Sequence, residues 1–318
     1  MKKIDFNFFP GWTRKAISFT IDDGCLDMDK KFLDIVRPCG IKGTFNISSN
    51  NVTRHNKPDM IRLVYSGYEI SNHVKLHPAA FWDGEPVKLS NDFFDEAMAD
   101  KEVCYRAKET PEGTYLRFKK DLTQWQYFCT AEGYIALVDQ GKTELEEIFG
   151  ENTVRGFVWP FCRWNNKKII EYLTSHYYGL RGGGKSSDEE YDNFFLPYDR
   201  TDWKYNARHS DLIERAAQFE ASSNDEKLKW FCFGVHSYDF ERDGKWDDLR
   251  VFAQKYGNRP NDFWYATNIE VFDYEDAIKK LVIENGIVKN YSNVELYIKI
   301  DNKKITIPPM SQLNIGCT

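Results

Sequence analysis

Residues 16–24, Ala16-Ile17-Ser18-Phe19-Thr20-Ile21-Asp22-Asp23-Gly24, decide the fold class. An apolar run of strand length stops on two carboxylates and a glycine. A helical period follows at once, with Met28, Phe32, Ile35 and Val36 on one face, until Pro38 and Gly40 end it. The alternation then repeats: Lys42–Ser48 reads as a second strand, Met60–Tyr65 as a second helix and Glu69–Ser71 as the start of a third strand. Strands that alternate with helices predict a parallel sheet with helices outside it, an α/β layer or barrel.

Between about Ala79 and Glu132 the rhythm breaks. Turn residues and aromatics mix there with short alternating runs such as Thr114–Phe118 and Gln124–Phe128, the pattern of an insertion. Regularity returns with helices around Ile135–Phe149, Lys167–Thr174, Leu212–Phe219, Trp246–Lys255 and Tyr274–Val282, and strands at Gly156–Trp159, Tyr177–Leu180, Trp230–Val235 and Phe263–Ala266. After Ile287, the segments Asn293–Ile300 and Lys303–Ile307 alternate at period two about Asp301-Asn302, which predicts an antiparallel β-hairpin. The expected organisation is a distorted (β/α) barrel of about seven repeats over residues 1–285, with an insertion at about 79–132 after the paired histidines, and a small β extension over 286–318.

The 318 residues carry 43 Lys+Arg against 49 Asp+Glu, a net charge of −6. That is the wrong sign for a chain that binds nucleic acid by neutralising phosphates. Hydrophobic content of 42% and charged content of 29% are ordinary for a globular chain. No apolar run approaches the ~18–20 residues of a membrane span. The start, Met1–Trp12, breaks at Asp5 and Pro10 before an apolar core of leader length forms, so a cytoplasmic chain is expected. Seven cysteines, an odd number with no Cys-x-x-Cys pair, point to reduced thiols.

Three ionisable clusters stand where strands end, the face that carries chemistry in β/α folds. The first is Asp22-Asp23; neighbours on a strand point to opposite sides, so a turn at Gly24 is needed to bring both to one pocket. The second is His73-Val74-Lys75-Leu76-His77-Pro78. Histidines at i and i+4 can share one metal, but Val74 stands where a zinc protease of the HExxH type has its glutamate, which removes that reading. A third ligand and a base must then come from elsewhere, and the Asp pair can supply both. The third is His236, at the end of Phe233-Gly234-Val235, a general-acid candidate because its unperturbed pKa lies near neutrality. Gly179-Leu-Arg-Gly-Gly-Gly-Lys185-Ser186 fits the phosphate-loop pattern, but the following Ser-Asp-Glu-Glu-Tyr-Asp-Asn lacks the apolar spacing of the helix such a loop requires.

Taken together, these clusters resemble the polysaccharide deacetylases of carbohydrate esterase family four. The family's TFDDG motif is similar to Thr20–Gly24. Its HxxxH motif, preceded by Gly-x-Glu-Ile-x-Asn, is similar to Gly67–Pro78. The RPPYG type resembles Val158-Trp159-Pro160-Phe161-Cys162, the DxxDW type resembles Asp199-Arg200-Thr201-Asp202-Trp203, and the LxH type matches at His236. The resemblance implies that Asp23, His73 and His77 bind a divalent metal, most often Zn2+, that Asp22 is the general base and that His236 is the acid. It implies a hydrolase that removes N- or O-linked acetyl groups from a saccharide, with the backbone N–H of Phe161 at the oxyanion. Trp159, Pro160, Phe161 and Trp203 would contact the sugar. Two departures stand out: Val158 replaces the arginine that steadies the base in the family, with Arg163, Arg200 and Asp202 as candidate supports, and Gly234 replaces the leucine of the acetyl pocket. Those losses motivate an alternative, a saccharide-binding barrel with a degraded site. A second alternative is a hydrolase of cyclic amides or imides on the same fold.

Overall fold

Alternation along the first long strand explains how the sheet is built. The computed structural model describes residues 3–80, 104–110, 113–121, 124–129, 131–160, 166–181, 201–223 and 227–315. In β1 (Lys15–Asp23), Ile17, Phe19 and Ile21 are wholly buried on one face, and Ser18 and Thr20 are buried on the other. The apolar face packs under α1 (Leu26–Val36) through Phe32, Leu33 and Val36. Phe19 meets Phe32 edge-on at 4.9 Å and Phe45 at 5.4 Å. Each such ring contributes about 1.5–3 kcal/mol by leaving water, with a smaller gain from its edge-on geometry. The polar face turns inward, and Asp22 continues its row.

The remaining strands of the eight-stranded main sheet are β2 (Gly43–Ile47), β3 (Glu69–Asn72), β4 (Gly156–Val158), β5 (Gly179–Arg181), β6 (Thr201–Ala207), β7 (Leu228–His236) and β8 (Trp264–Tyr265). Seven of them run in the order β5-β4-β3-β2-β1-β7-β6, all parallel, and β8 pairs with β1. The sheet curls into a half-barrel. Its curl is visible in one contact: the side chain of Arg181, on edge strand β5, reaches Asp22 on β1, which lies four places along the order.

Outside the sheet lie α2 (Pro58–Val64), α3 (Ala131–Phe149), α4 (Lys167–His176), α5 (Leu212–Ala221), α6 (Ser237–Arg242), α7 (Trp246–Tyr256) and α8 (Asn268–Lys279). The last of these differs from expectation, beginning six residues before Tyr274. Thr267 and Glu270 form a capping box there, the Thr267 hydroxyl accepting from the Glu270 amide at 3.2 Å and the Glu270 carboxylate from the Thr267 amide at 2.7 Å. The first turn of α8 enters the half-barrel: its Asn268 and Ile269 amides donate to Thr44 Oγ1 and Glu69 Oε2. Strand β6 also lies where no strand was expected; it is an edge strand whose register with β7 shifts between Asp202 and Tyr205.

The segment read as an insertion carries a separate four-stranded sheet of Pro78–Ala80, Gln124–Cys129, Gly113–Asp121 and Cys104–Thr110. The expected hairpin pairs Leu296–Ile300 with Lys303–Ile307, and Asp301 and Asn302 both adopt positive φ, 48° and 66°, as its two-residue turn demands. Ile4–Asp5 adds a third strand to it, and Val282–Glu284, Ile287–Asn290 and Ser311–Asn314 form another small sheet. Leu296, Ile298 and Ile307 join Val271, Tyr274 and Ile278 of α8 in one buried cluster.

Candidate metal centre and active site

Five ionisable residues meet at the C-terminal ends of β1, β3 and β7. Alternation alone would send Asp23 away from Asp22. The backbone prevents this: Asp23 has φ 79° and Gly24 φ 76°, so the chain turns sharply as the strand ends. A Cβ on Gly24 would lie 2.7 Å from Ile47 Cγ2, which reserves that position for glycine. The loop after β3 is strained in the same way, with positive φ at Val74, Leu76 and His77; for the β-branched Val74 this is a costly conformation, of the kind that persists where surrounding contacts enforce it. Those contacts are present. Asn72 Oδ1 accepts from the Val74 amide at 3.0 Å, and Lys75 pairs with Glu144 of α3, whose other oxygen accepts from Ser49 at 2.6 Å.

The result is a triangle of ligand atoms. His73 Nε2 and His77 Nε2 are 3.1 Å apart, and Asp23 Oδ1 is 3.4 Å from the first and 3.3 Å from the second. Ligands at about 2.0–2.1 Å in a tetrahedral site stand about 3.3 Å from one another, so the three atoms match three corners of a zinc-sized site. His73 Nδ1 donates to the Val158 carbonyl at 2.9 Å, which leaves the lone pair of Nε2 facing the triangle. Asp23 Oδ1 is buried with no hydrogen-bond partner, and Oδ2 accepts from the Tyr238 hydroxyl at 2.8 Å. Burial and the nearby His73 ring lower His77 to about 4, so its ring is neutral near pH 7, the form a metal requires. Burial works against ionisation of Asp23, but the facing imidazoles of His73, His77 and His236 hold its carboxyl well below the usual range. Among the described residues this is the one group of three side chains disposed to hold an ion.

Asp22 sits beside the triangle, level with Asn46 on β2 and with His236 on β7. Its Oδ1 accepts from Asn46 Nδ2 at 2.7 Å and forms an ion pair with Arg181. Burial would raise Asp22, but the Arg181 guanidinium and the imidazoles of His73 and His236 outweigh it, and the carboxyl stays ionised. His236 Nε2 lies 3.8 Å from Asp23 Oδ2, and its ring stacks on Tyr238 at 4.7 Å. Burial lowers His236, but its hydrogen bond to Asp239 and the charges of Asp23 and Asp22 raise it to about 9. An ionised carboxylate and a protonated imidazole thus flank the triangle, a base and an acid in complementary states.

Other candidates lie elsewhere. Trp159 is 2% exposed and packs edge-on against Phe157, and Pro160 is buried, so neither stands open to a sugar. The backbone of Asp202 and Trp203 is in β6, with Asp202 level with Lys229, seven residues before His236 on β7. At about 3.3 Å per residue that is the far end of the sheet. Because β6 runs parallel to β7, its last residue, Ala207, level with Phe233, is the strand residue nearest the site end. Phe161, Arg163 and Arg200 lie outside the described residues. Among the described residues the guanidinium paired with Asp22 is that of Arg181, in the stretch set aside as a failed phosphate loop; a charged residue directly after an expected strand was its one signal. Asp239 and Tyr238 were also missed, though their places three and two residues after His236 tie them to it.

The family model for polysaccharide deacetylases matches residues 11–179, more than half of the chain. No curated protein matches. Among solved structures the chain is similar to a protein of Mycobacterium smegmatis assigned to the polysaccharide deacetylases, with TM-score 0.52 and 17% identity over 85% of this chain and 93% of that one. At that identity the likeness is one of fold. It is also similar to the Xyl-CE4 domain of a multidomain xylanase from the hindgut metagenome of Trinervitermes trinervoides, with TM-score 0.45 and 15% identity over 83% and 92% of the two chains. A CE4 esterase of Streptococcus mutans aligns with TM-score 0.44 and 14% identity over 79% and 85%.

Proposed function

The chain belongs to the polysaccharide deacetylase family, and from that premise we propose that it is a metal-dependent hydrolase that removes acetyl groups from a saccharide. The observation that carries the reading is the triangle of Asp23 Oδ1, His73 Nε2 and His77 Nε2, with sides of 3.1–3.4 Å, flanked by Asp22 and His236. Those three atoms would hold the ion, Zn2+ on the chemistry of two imidazoles and a carboxylate, leaving a corner open toward substrate. When bound, the ion supplies Lewis acidity and brings the pKa of a water down to ~7.

The chain's own residues do the rest. Asp22 takes the proton from the attacking water on Oδ2, since Arg181 and Asn46 occupy Oδ1. A carboxylate held below its usual range is a weak base, which would suffice for a water whose pKa the ion had lowered. His236, charged below about pH 9, gives its Nε2 proton to the departing amine or alcohol, while Asp239 holds Nδ1. The backbone N–H of Phe161 is the family's oxyanion donor and is proposed for the same role here. Residues 1–285 are read as the catalytic barrel and 286–318 as a β extension.

The test is acetate release from a panel of N- and O-acetylated oligosaccharides by Zn2+-loaded protein, with Asp22→Asn in parallel. Release by the wild type and a loss of at least ~10²-fold in the variant is expected. Equal rates for the two would overturn the assignment of the base. No release from any member, with the sugars still bound, would make the chain a saccharide-binding barrel instead.

A further inference from the structure

Two departures from the family pattern, Val158 and Gly234, meet at one side chain. Arg181 closes β5 at the sheet edge, and its Nη2 pairs with Asp22 Oδ1 across the inside of the half-barrel; the two side chains are 10% and 15% exposed. Asn46 Nδ2 donates to the same oxygen. Two donors on Oδ1 fix the carboxylate plane and leave Oδ2 as the atom that can receive a proton. Gly234 lies two residues before His236 on β7 and level with Thr20 on β1. A Cβ built there would stand 3.1 Å from Thr20 Cγ2 and 3.8 Å from Arg181 Nη1. The first distance is already tight, and any longer side chain would extend into the space beside the guanidinium.

We propose that Arg181 is the positioning residue for Asp22 and that Gly234 is the clearance that admits its guanidinium. The missing arginine on β4 and the missing leucine on β7 are then two halves of one rearrangement, in which the cation that steadies the base comes from the next strand along. The inference rests on the reading of Asp22 as the base. A buried carboxylate stripped of the guanidinium that pairs with it is left poorly compensated, so the contact is costly to break even where its formation gains little.

The experiment has one readout without chemistry and one with it. In metal-free protein, thermal unfolding is compared for Gly234→Leu in the wild type and in Arg181→Ala. A leucine that competes with the guanidinium lowers the midpoint clearly in the wild type and much less when Arg181 is truncated. Equal lowering in both backgrounds overturns the clearance. Should either change abolish cooperative unfolding, Gly234→Ala with Arg181→Lys makes the same comparison. In Zn2+-loaded protein, Arg181→Ala loses roughly 10²-fold in kcat with KM nearly unchanged, because the base is misplaced while the sugar still binds. Arg181→Lys recovers part of the loss, and so does guanidinium chloride added to Arg181→Ala. A rise in KM at constant kcat, or a loss that neither lysine nor guanidinium restores, overturns the positioning role. If the wild type itself releases no acetate, the deacetylase reading fails, and the unfolding comparison still decides whether Gly234 and Arg181 are coupled.

Discussion

His236 Nδ1 lies 2.9 Å from Asp239 Oδ2, a contact between two residues three apart in the chain, made where β7 passes into α6. Asp239 is held in turn by Arg242 at 2.7 Å. The carboxylate fixes the imidazole so that Nε2 faces Asp23 of the Asp23–His73–His77 triangle, and it stabilises the charged ring. Asp239→Asn removes a negative charge and a hydrogen bond to the charged form. The His236 pKa then falls from about 9, and the alkaline limb of the kcat profile moves to lower pH. A loss of roughly tenfold or more in kcat at pH 8 accompanies it. A pH–rate profile of the variant beside the wild type checks this; an unmoved alkaline limb would show that Asp239 does not act on the acid.

Tyr238 controls which oxygen of Asp23 is offered to an ion. Its hydroxyl occupies Oδ2 at 2.8 Å, and Oδ1 is left to face the two histidines. Tyr238→Phe frees Oδ2 and loosens the carboxylate, so Zn2+ affinity drops roughly 10- to 100-fold while the fold is retained. Isothermal titration of metal-free protein with Zn2+ measures it directly. Unchanged affinity would mean that the strained turn at Asp23 holds the ligand without help.

Asp29 gives the protein a stability profile of unusual sign. It is fully buried on α1, accepting from Tyr65 at 2.7 Å and Ser237 at 2.5 Å. Burial raises it to about 7, despite those two hydrogen bonds. The folded chain therefore holds this proton more tightly than the unfolded chain, whose aspartates titrate near 3.9. Stability is greatest below about pH 4 as far as this group is concerned, falls as pH rises toward about 7, and is level above that. Glu69, raised to about 7 by burial, contributes with the same sign. Asp29→Asn should remove its share of the slope and unfold at higher denaturant than the wild type at pH 8. Urea midpoints for both proteins across pH 5–8 decide it; parallel curves would refute the assignment.

Gly24→Ala tests the turn that brings both aspartates to one pocket. With φ at 76° and Ile47 Cγ2 2.7 Å from the new methyl, the change costs about 1–3 kcal/mol of stability and displaces Asp23. Zn2+ affinity should fall with it. A variant of normal stability and affinity would show that the turn tolerates side chains.

The residues readable in the sequence are those whose geometry is local. Asp22 and Asp23 end a strand, His73 and His77 share a five-residue loop, and His236 ends another strand, so position in the pattern was enough to bring them forward. The hairpin about Asp301-Asn302 was readable for the same reason, a two-residue turn between period-two runs. What was not readable depends on the curl of the sheet. Arg181 meets Asp22 only because β5 is carried round to face β1, and spacing along the chain holds no trace of that. Trp159 shows the opposite error: an aromatic beside a motif suggested a sugar platform, but its ring completes the packing around Phe157. Asp202 matched a motif in spacing, and the parallel register of β6 with β7 puts its backbone at the other end of the sheet.

The central claim is that Asp23, His73 and His77 hold one ion that the hydrolysis of an acetylated saccharide requires. Metal-free protein should be titrated with Zn2+ while acetate release is followed on the same sample. The rate should rise from background to a plateau at one equivalent per chain, and His73→Ala together with His77→Ala should abolish the rise. Release of acetate at full rate without metal, or a plateau unaffected by loss of both histidines, would contradict it.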